Sequence, residues 1–376
     1  MENSKPKLAL GSTTWKSISL DSIGEIRTGS TPKIKDADNV GGPYYWVTPT
    51  DISGKEINTT NIMLSEKGLE SARVIPANSL LVTCIASIGK NCILRSTGSC
   101  NQQINALTPY SNYDLDFLYY LLCNKEQVLH NNAGHGGMEI LNKTEFSKLV
   151  FKVPKLEEQQ KIAEFFTALD EKIRCLDDLA KCFSQSMQGV LNKVFTQQIS
   201  FKDENGNNYS EWTSKTIKDV APLQRGFDLP TSQLQDGECT VIYSNGQTAK
   251  HSAFKCDGCA VVTGRSGTIG KVFYLDNCKY WPHNTTLWVT DFCGNNPKFI
   301  YYLLKFVGLE RFSTGTGVPT LNRNDVHDYV VKIPSIDEQT KIVEFLDCYN
   351  KKLNLLISKK HAFQELKKAF MQRMFV

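Results

Sequence analysis

The chain has 376 residues, of which 41% are hydrophobic and 22% charged, a composition typical of folded globular proteins. Its net charge is only +4, which excludes a strongly cationic nucleic-acid binder, so any DNA binding must come from local basic patches. No run approaches the roughly 20 apolar residues of a membrane span, and the first residues lack the apolar core of a signal peptide. We therefore expect a cytoplasmic protein.

Taken in chain order, the predicted elements occur twice. The first copy contains an opening Trp segment, a buried strand with a small-residue loop, a polar cluster entering a strand, an amphipathic helix and a Leu-Asn-cation tripeptide, at residues 15–23, 80–90, 101–107, 117–122 and 141–143. The second copy repeats them at residues 212–220, 260–271, 282–288, 299–304 and 321–323. Most of these matches are related by a nearly constant offset along the chain, which predicts an internal duplication. We expect a mixed α/β (α+β) fold with two tandem β-rich domains.

A long amphipathic segment follows each copy, at residues 153–195 and again at residues 333–375. In heptad notation the a and d positions of the first segment are all apolar, which predicts a helix with a coiled-coil seam. Each helix would expose this seam if it stood alone, so we expect the two to pair antiparallel, with pseudo-two-fold symmetry. The predicted boundaries are residues 1–152 for the first domain, 153–196 for its helix, 197–332 for the second domain and 333–376 for its helix.

Apolar residues along both helices are the predicted helix-pairing and subunit-interface positions. They are Phe166, Leu169, Ile173, Leu176, Phe183, Met187, Leu346, Leu353, Leu356, Phe363 and Phe370. Lys360 and Lys367 interrupt the second seam, which predicts that another protein completes the packing there.

Motifs for catalysis or metal binding are incomplete in this sequence. The Gly-Lys pairs at residues 89–90 and 270–271 lack the earlier Gly and the following Ser or Thr of a phosphate-binding loop. The histidines do not pair at ligand spacing. Cys256 and Cys259 resemble half a zinc site, but the first copy has a plain turn at this place, so a structural turn is favoured over a metal. We expect free thiols, no active site, and neither a metal nor a cofactor bound by this chain.

Loops rich in Gly, Ser, Thr, Asn and Gln, each with a cation close by, recur at matching places in the two copies. The candidate DNA-binding residues of the first copy are Arg27, Ser30, Thr31, Lys33, Ser87, Lys90, Asn101, Gln102, Gln103, His135 and Lys143. Those of the second copy are Arg225, Tyr243, Ser244, Asn245, Arg265, Ser266, Thr268, Lys271, His283, Asn284, Thr316, Thr320 and Arg323. Amides and Arg can discriminate base edges, whereas Lys, Ser and backbone N–H groups hold phosphates. Each loop alone also has ordinary turn chemistry, and the recurrence is what favours a shared binding face.

The paired helix openings at residues 153–162 and 333–342, with residues 28–32, 201–212 and 265–270, resemble the specificity (S) subunit of type I restriction-modification systems. The resemblance covers nearly the whole chain. Residues 6–15 lack the acidic-Asn-Gly stretch that precedes Trp212, which is a departure from the family pattern.

The resemblance implies a non-catalytic subunit whose two target-recognition domains each read one half of a bipartite DNA site. It also implies that the helices dock two methyltransferase subunits, which modify adenine N6 with S-adenosylmethionine, and that restriction subunits can join. Because the candidate loops differ between the copies, the two half-sites should differ, giving an asymmetric target. The alternative interpretation of the repeated helices is a coiled-coil adaptor that binds protein rather than DNA.

Overall fold

The computed structural model describes residues 15–134, 139–246, 248–314 and 319–375. The chain divides into two compact units: unit 1 comprises Met1–Leu176 with Lys359–Val376, and unit 2 comprises Asp177–Ser358. Each unit therefore contains one of the predicted domains and a portion of each predicted long helix.

Unit 1 is built from short strands that pack against short helices. Its elements are β1 (Lys16–Ser19), α1 (Leu20–Ile23), β2 (Gly24–Thr28), β3 (Val40–Val47), β4 (Met63–Leu64), α2 (Glu66–Ser71), β5 (Ser79–Thr83), β6 (Asn91–Leu94), β7 (Ser99–Cys100), β8 (Ile104–Pro109), α3 (Leu115–Asn124), α4 (Glu126–Asn131), α5 (Lys143–Lys148) and β9 (Val150–Val153). The sheet orders are β2-β8-β5-β6, β4-β3-β7 and β1-β9. The predicted buried strand and amphipathic helix are thus confirmed as β5 and α3.

The core of unit 1 lies on both faces of β5. Every residue of this strand is buried, and β8 and β6 pair with its two edges. Leu80 and Val82 join the cluster formed with α3, whereas Leu81 joins a second cluster on the opposite face. The alternation follows from the two-residue repeat of a strand, and a continuous apolar run is what a strand covered on both faces requires.

Unit 2 repeats this arrangement. Its elements are β10 (Thr213–Thr216), α7 (Ile217–Val220), β11 (Leu223–Arg225), β12 (Cys239–Ile242), β13 (Thr248–His251), β14 (Cys256–Gly264), β15 (Val272–Pro282), β16 (Thr286–Val289), α8 (Pro297–Val307), β17 (Ser313–Thr314), β18 (Thr320–Leu321), α9 (Arg323–His327) and β19 (Val330–Ile333). The order β11-β16-β14-β15 reproduces β2-β8-β5-β6, so the predicted duplication extends to sheet topology.

Cys256 and Cys259 lie within β14, not in a turn, so the expected turn is wrong. The register of β14 against β15 shifts between Gly258 and Ala260, which marks a β-bulge. A bulge places an extra residue in one strand without ending it. Among the described residues, no group of three or more His, Cys, Asp or Glu is arranged to hold a metal ion.

The two predicted long helices are confirmed as α6 (Leu156–Phe195) and α10 (Ile336–Met374). All nine a and d positions of α6 are buried or half-buried. In unit 1, the Phe165 and Phe370 ring centroids lie 5.1 Å apart, and Phe166 stacks on Phe375 at 5.8 Å. In unit 2, Met187, Leu191 and Val194 share a cluster with Ile342, Val343 and Leu346. Among the described residues, no helix is both long and apolar enough to span a membrane.

Lys367, which was predicted to interrupt the apolar seam of the second helix, has partners within unit 1. Its Nζ lies 2.5 Å from Asp170 Oδ1 and 5.4 Å from the centroid of the Tyr120 ring, all within unit 1. A lysine stem covers apolar surface while its ammonium group finds a partner at the edge. This cation therefore belongs to the packing of unit 1, and the completion of the seam by another protein stays a prediction.

Candidate nucleic-acid interface

In unit 1, three neighbouring strands place the candidate loops at one edge of the sheet. β2 ends at Thr28, which pairs with Asn105 near the start of β8, and β5 ends at Thr83, which pairs with Ile104. Because neighbouring antiparallel strands begin and end at alternating edges, the loop after β2, the loop before β8 and the loop after β5 meet. The segments around residues 28–33, 84–90 and 101–103 are therefore adjacent, although they are far apart in the chain.

Backbone hydrogen bonds hold these loops together. The Ser30 N–H donates to Cys100 O at 2.8 Å, and the Cys84 N–H donates to Gln103 O at 2.8 Å. The Leu141 N–H donates to Cys84 O at 2.8 Å and so brings the segment before α5 to the same edge. A Cβ on Gly29 would overlap the carbonyl oxygen of Asn101, so only glycine permits this close crossing.

Amide and hydroxyl side chains order the surface of this edge. Asn101 is buried, and its Nδ2 donates to Gln103 Oε1 at 2.9 Å. The Thr31 hydroxyl bonds to Gln102 Oε1, and both residues are exposed. The amide of Gln102 therefore faces solvent with hydrogen-bonding groups that can reach a base edge.

Three cations stand around the unit 1 edge without an ion-pair partner. Lys33, Lys90 and Lys143 are exposed, and none makes an ion pair or side-chain hydrogen bond within the part of the chain that the structure describes. Arg27 differs, because its guanidinium binds both carboxylate oxygens of Glu25, at 2.7 and 2.8 Å. Lys33 and Lys90 can bind phosphates at no cost in broken ion pairs, whereas Arg27 would first have to leave the Glu25 carboxylate, whose pKa the nearby Lys143 also helps to lower.

Arg73 lies at the same edge, although no sequence pattern predicted it. Its guanidinium donates to Thr28 O at 2.5 Å, and its backbone N–H donates to Ser30 Oγ at 2.6 Å. Arg73 thus braces the first candidate loop from a distant segment and remains exposed at its side. Its neighbours in sequence carry no polar-loop signature, so pattern alone had no means of finding it.

Unit 2 forms the same kind of edge. Arg225 pairs with Leu287 and Gly264 pairs with Thr286, so the segments after β11, before β16 and after β14 converge. The Arg265 N–H donates to Thr285 O at 2.8 Å, and the Leu321 N–H donates to Arg265 O at 2.8 Å. These bonds are the counterparts of the two made by Cys84 in unit 1.

The cations of this edge are Arg265, Lys271 and Arg323, for which the described ranges contain no ion-pair partner. The Arg225 guanidinium lies 3.3 Å from Asp228 Oδ1, and the Asn284 side chain donates to the same oxygen. The backbone N–H of Ser266 donates to Thr285 O at 3.2 Å, and Thr320 bridges to Ser266. Arg265 is therefore fixed at its backbone while its guanidinium stays available.

His283 and its neighbours make a half-buried polar cluster at the same edge. Its Nδ1 lies 3.0 Å from Thr285 Oγ1, and its ring centroid lies 4.7 Å from that of Tyr243. Burial lowers the pKa of His283, so the neutral imidazole is favoured. Ser244, whose N–H reaches Thr285 Oγ1 at 3.4 Å, and exposed Asn245 continue the surface. The cluster offers hydrogen-bonding groups with little charge.

A family model for the type I restriction modification DNA specificity domain matches residues 12–179 and again residues 209–363. The chain belongs to this DNA specificity family. The two matched segments correspond to the two predicted copies. They also contain both loop edges described above.

Two curated relatives of the specificity family are similar to this chain. The MjaIX specificity subunit of Methanocaldococcus jannaschii is 25% identical over 235 residues, which cover 58% of this chain and 54% of that protein. The chain thus spans about half the length of this relative. The EcoprrI specificity subunit of Escherichia coli is 21% identical over 356 residues, 89% of this chain and 87% of that protein.

Solved structures share the fold of this family member. The type I S subunit from M. genitalium covers 99% of both chains with a TM-score of 0.62 at 16% identity. A chain from a structure of complex assembly and conformational transition in the type I restriction-modification system has a TM-score of 0.63 at 14% identity, with 96% of this chain and 97% of that chain covered. At these identities the likeness concerns the fold alone.

The strand registers correct how the two recognition edges correspond. Val82 pairs with Asn91 and Asn105, and Thr263 pairs with Val272 and Leu287. The loops after β5 and β14 therefore align without an insertion. The predicted match of residues 80–90 to the longer segment 260–271 is wrong in this respect. Arg265 consequently lies at the position that Cys84 has in unit 1.

This correspondence places different chemistry at one position of the two edges. Cys84 is buried, and burial raises the pKa of its thiol to about 11, so this group stays neutral. Arg265 offers a permanent charge and a planar set of donors. Ser87 aligns with Thr268, and Lys90 aligns with Lys271. His135 and Thr316 lie outside the described residues, and the remaining candidate residues stay predictions as DNA contacts.

Proposed function

We propose that this chain is the DNA sequence-specificity subunit of a type I restriction-modification complex, in which each domain reads one half of a bipartite target. The observation that carries the proposal is the repeated loop edge. In both units a hydrogen-bonded set of loops presents amide and hydroxyl groups surrounded by cations that lack ion-pair partners among the described residues. Such a surface combines groups that position phosphates with groups that distinguish base edges.

The two half-sites should differ in sequence, because the two edges differ in chemistry. Unit 1 exposes the Gln102 amide and has the buried, neutral Cys84 thiol at the place where unit 2 has the guanidinium of Arg265 beside half-buried His283. Amides favour bidentate contacts to adenine and Arg favours guanine or a phosphate. The target is therefore asymmetric.

We further propose that this chain supplies recognition and no catalytic group. Two methyltransferase subunits would dock on α6 and α10 and would carry S-adenosylmethionine for methylation of adenine N6, and restriction subunits could then join. The incomplete motifs for cofactor and metal binding support this division of labour. The complex would act in the cytoplasm, where the chromosome lies.

Co-expression with the cognate methyltransferase subunit, followed by sequencing of methylated adenines across the host genome, tests the proposal. We expect one split motif with two unlike half-sites and a gap of constant length. Methylation at a single ungapped motif would contradict the proposal. So would a methylation pattern that is the same with and without this chain.

Salt-dependent DNA binding by the assembled complex separates this role from that of a protein-binding adaptor. Lys33→Ala and Lys90→Ala should each reduce the slope of log affinity against log salt by about 1, because each removes one phosphate contact. Lys152→Ala, an exposed lysine of β9, is the matched control and should leave the slope unchanged. An adaptor would show no such slope in any variant.

A further inference from the structure

In unit 1, a buried glutamine near the start of α6 attaches the helix to the recognition domain. Gln159 is 1% exposed. Its Oε1 accepts from the Asp114 N–H at 2.8 Å, at the cap of α3, and its Nε2 donates to Pro154 O at 2.9 Å. A contact to Asn112 O at 3.5 Å completes the surroundings of the amide. The side chain thus joins three chain segments through directional bonds.

Unit 2 contains the same device. Gln339 is 2% exposed and lies at the start of α10. Its Oε1 accepts from the Asn296 N–H, the cap of α8, at 2.9 Å, and its Nε2 donates to Asn295 Oδ1 at 2.8 Å and to Pro334 O at 3.1 Å. Polar side chains are seldom buried unless they are hydrogen-bonded. Two buried, hydrogen-bonded glutamines at equivalent places therefore imply the same structural role in both units.

A tryptophan provides a second contact at each junction. The Trp15 indole N–H donates to Glu158 Oε1 at 3.2 Å, and that of Trp212 donates to Glu338 Oε2 at 3.0 Å. Each bond ties the opening segment of a domain to the residue that precedes the buried glutamine.

A tyrosine provides the third contact in each unit, and the helix residues that bind it differ between the units. The Tyr120 hydroxyl donates to Asp170 Oδ2 at 2.8 Å. The Tyr302 hydroxyl donates to Asp347 Oδ1 at 2.6 Å and accepts from Asn350 Nδ2 at 2.5 Å. The offset that relates Gln159 to Gln339 also relates Asp170 to Asn350, so the carboxylate has moved one helical turn while the tyrosine anchor is retained.

The three contacts lie along about 18 Å of helix, taking 1.5 Å per residue from Glu158 to Asp170. Apolar packing between them, through Ile162 and Phe166 in unit 1, is non-directional and tolerates small rotations of a helix. Hydrogen bonds weaken steeply when the donor–acceptor distance changes by a few tenths of an ångström or the bond angle by a few tens of degrees. The polar contacts therefore restrict the rotation of each domain on its own helix more narrowly than the apolar ones do.

We propose that Gln159 and Gln339 are positioning residues that fix the rotation of each recognition domain on its helix and thereby select one gap length between the half-sites. This inference rests on the proposed function. Adding one base pair to the gap moves a half-site by about 3.4 Å and turns it by about 35°. A rigid junction cannot follow that change, whereas a junction without its amide anchor can. Base identity within each half-site depends on the loop edges and should be unaffected.

The test compares methylation of duplexes that carry the native half-sites with the native gap or with one base pair added or removed. With the wild-type complex we expect at least a tenfold lower rate on both altered gaps. With Gln159→Met, which keeps the volume but not the hydrogen bonds, we expect that ratio to shrink to about threefold. Gln160→Met is the control, because Gln160 is exposed beside Gln159 on the same helix and should retain the wild-type ratio.

Each outcome decides a separate point. A wild-type complex that recognises no gapped site overturns the proposed function itself. A wild-type complex that discriminates, with a Gln159→Met complex that discriminates equally well, overturns only the positioning role. A fall in the rates on all three duplexes with the wild-type ratio retained would show an effect on stability alone and likewise overturns the positioning role. Should Gln159→Met fail to assemble, Gln339→Met removes the equivalent buried amide from the unit 2 junction, and an unchanged ratio in that variant refutes the proposal.

Discussion

Thr263 has a buried hydroxyl group, whereas the equivalent residue of unit 1 has none. Thr263 is 1% exposed, and its Oγ1 has no hydrogen-bond partner among the described residues. The register of β14 aligns it with Val82, which is fully buried in the corresponding core. An unsatisfied buried hydroxyl costs about 1–3 kcal/mol, and a methyl group in its place gains about 0.8 kcal/mol from burial. Thr263→Val should therefore raise the free energy of unfolding of unit 2 by about 2–4 kcal/mol.

The reciprocal substitution should change the free energy of unfolding in the opposite direction. Val82→Thr should lower the free energy of unfolding of unit 1 by about 1–3 kcal/mol, since it places a hydroxyl in an apolar core. Thr286→Val is the matched control, because the Thr286 hydroxyl donates to His283 O at 2.7 Å and its loss should destabilise unit 2 by about 1 kcal/mol. Native-state hydrogen exchange of the β5 and β14 amides measures each unit separately. Destabilisation by Thr263→Val, or no effect of Val82→Thr, would refute the reasoning.

Arg265→Ala should weaken recognition of one half-site by about 1–3 kcal/mol and leave recognition of the other half-site unchanged. Methylation of duplexes that differ in a single half-site measures this effect. An equal loss on all sequences would identify a phosphate contact. Leu176→Asp buries an unpaired charge in α6 and should cost about 3 kcal/mol or more, seen as a lower melting temperature by circular dichroism and as loss of subunit assembly by gel filtration; an unchanged melting temperature would count against the helix seam. Burial lowers the pKa of His327, whose Nε2 accepts from the Leu223 N–H at 2.8 Å, so the folded state prefers the neutral ring while the unfolded ring protonates near pH 6.5. Stability should hold above that pH and fall below it, and urea midpoints at pH 7.5 and 5.5 should differ less in His327→Gln. Gly29→Ala should abolish recognition of the unit 1 half-site while the other half-site is still read, because its Cβ would overlap the Asn101 carbonyl oxygen; retained binding of that half-site in a filter assay would argue against the close crossing.

Local patterns were sufficient for the elements that carry their own periodicity. The apolar stripe of residues 153–195 predicted α6, and the proline at position 154 placed the start of the helix close to Leu156. The recurrence of Gly-rich polar loops predicted that Asn101 and Lys90 would share a surface, and the strand ends do bring them together. These features depend on residues close in sequence or on a repeat visible along the chain.

Contacts between distant residues were beyond such patterns. Lys367 was expected to interrupt a seam, yet it pairs with Asp170 beside Tyr120. Arg73 braces a loop far from it in sequence, at Thr28. Neither partner could be read from spacing, because a salt bridge or hydrogen bond depends on the folded path of both segments.

The amino-acid sequence by itself determined the duplication, the two long helices and the polar character of the loops, because hydrophobic period and residue type act locally. Only the tertiary structure decided which residues occupy equivalent places in the two copies. The strand registers beside the bulge between Gly258 and Ala260 place Arg265 at the position of Cys84. The packing of each domain on its helix turned Gln159 and Gln339 from helix-surface residues into buried anchors. Register and burial are properties of the assembled core, since each depends on partners contributed from elsewhere in the chain.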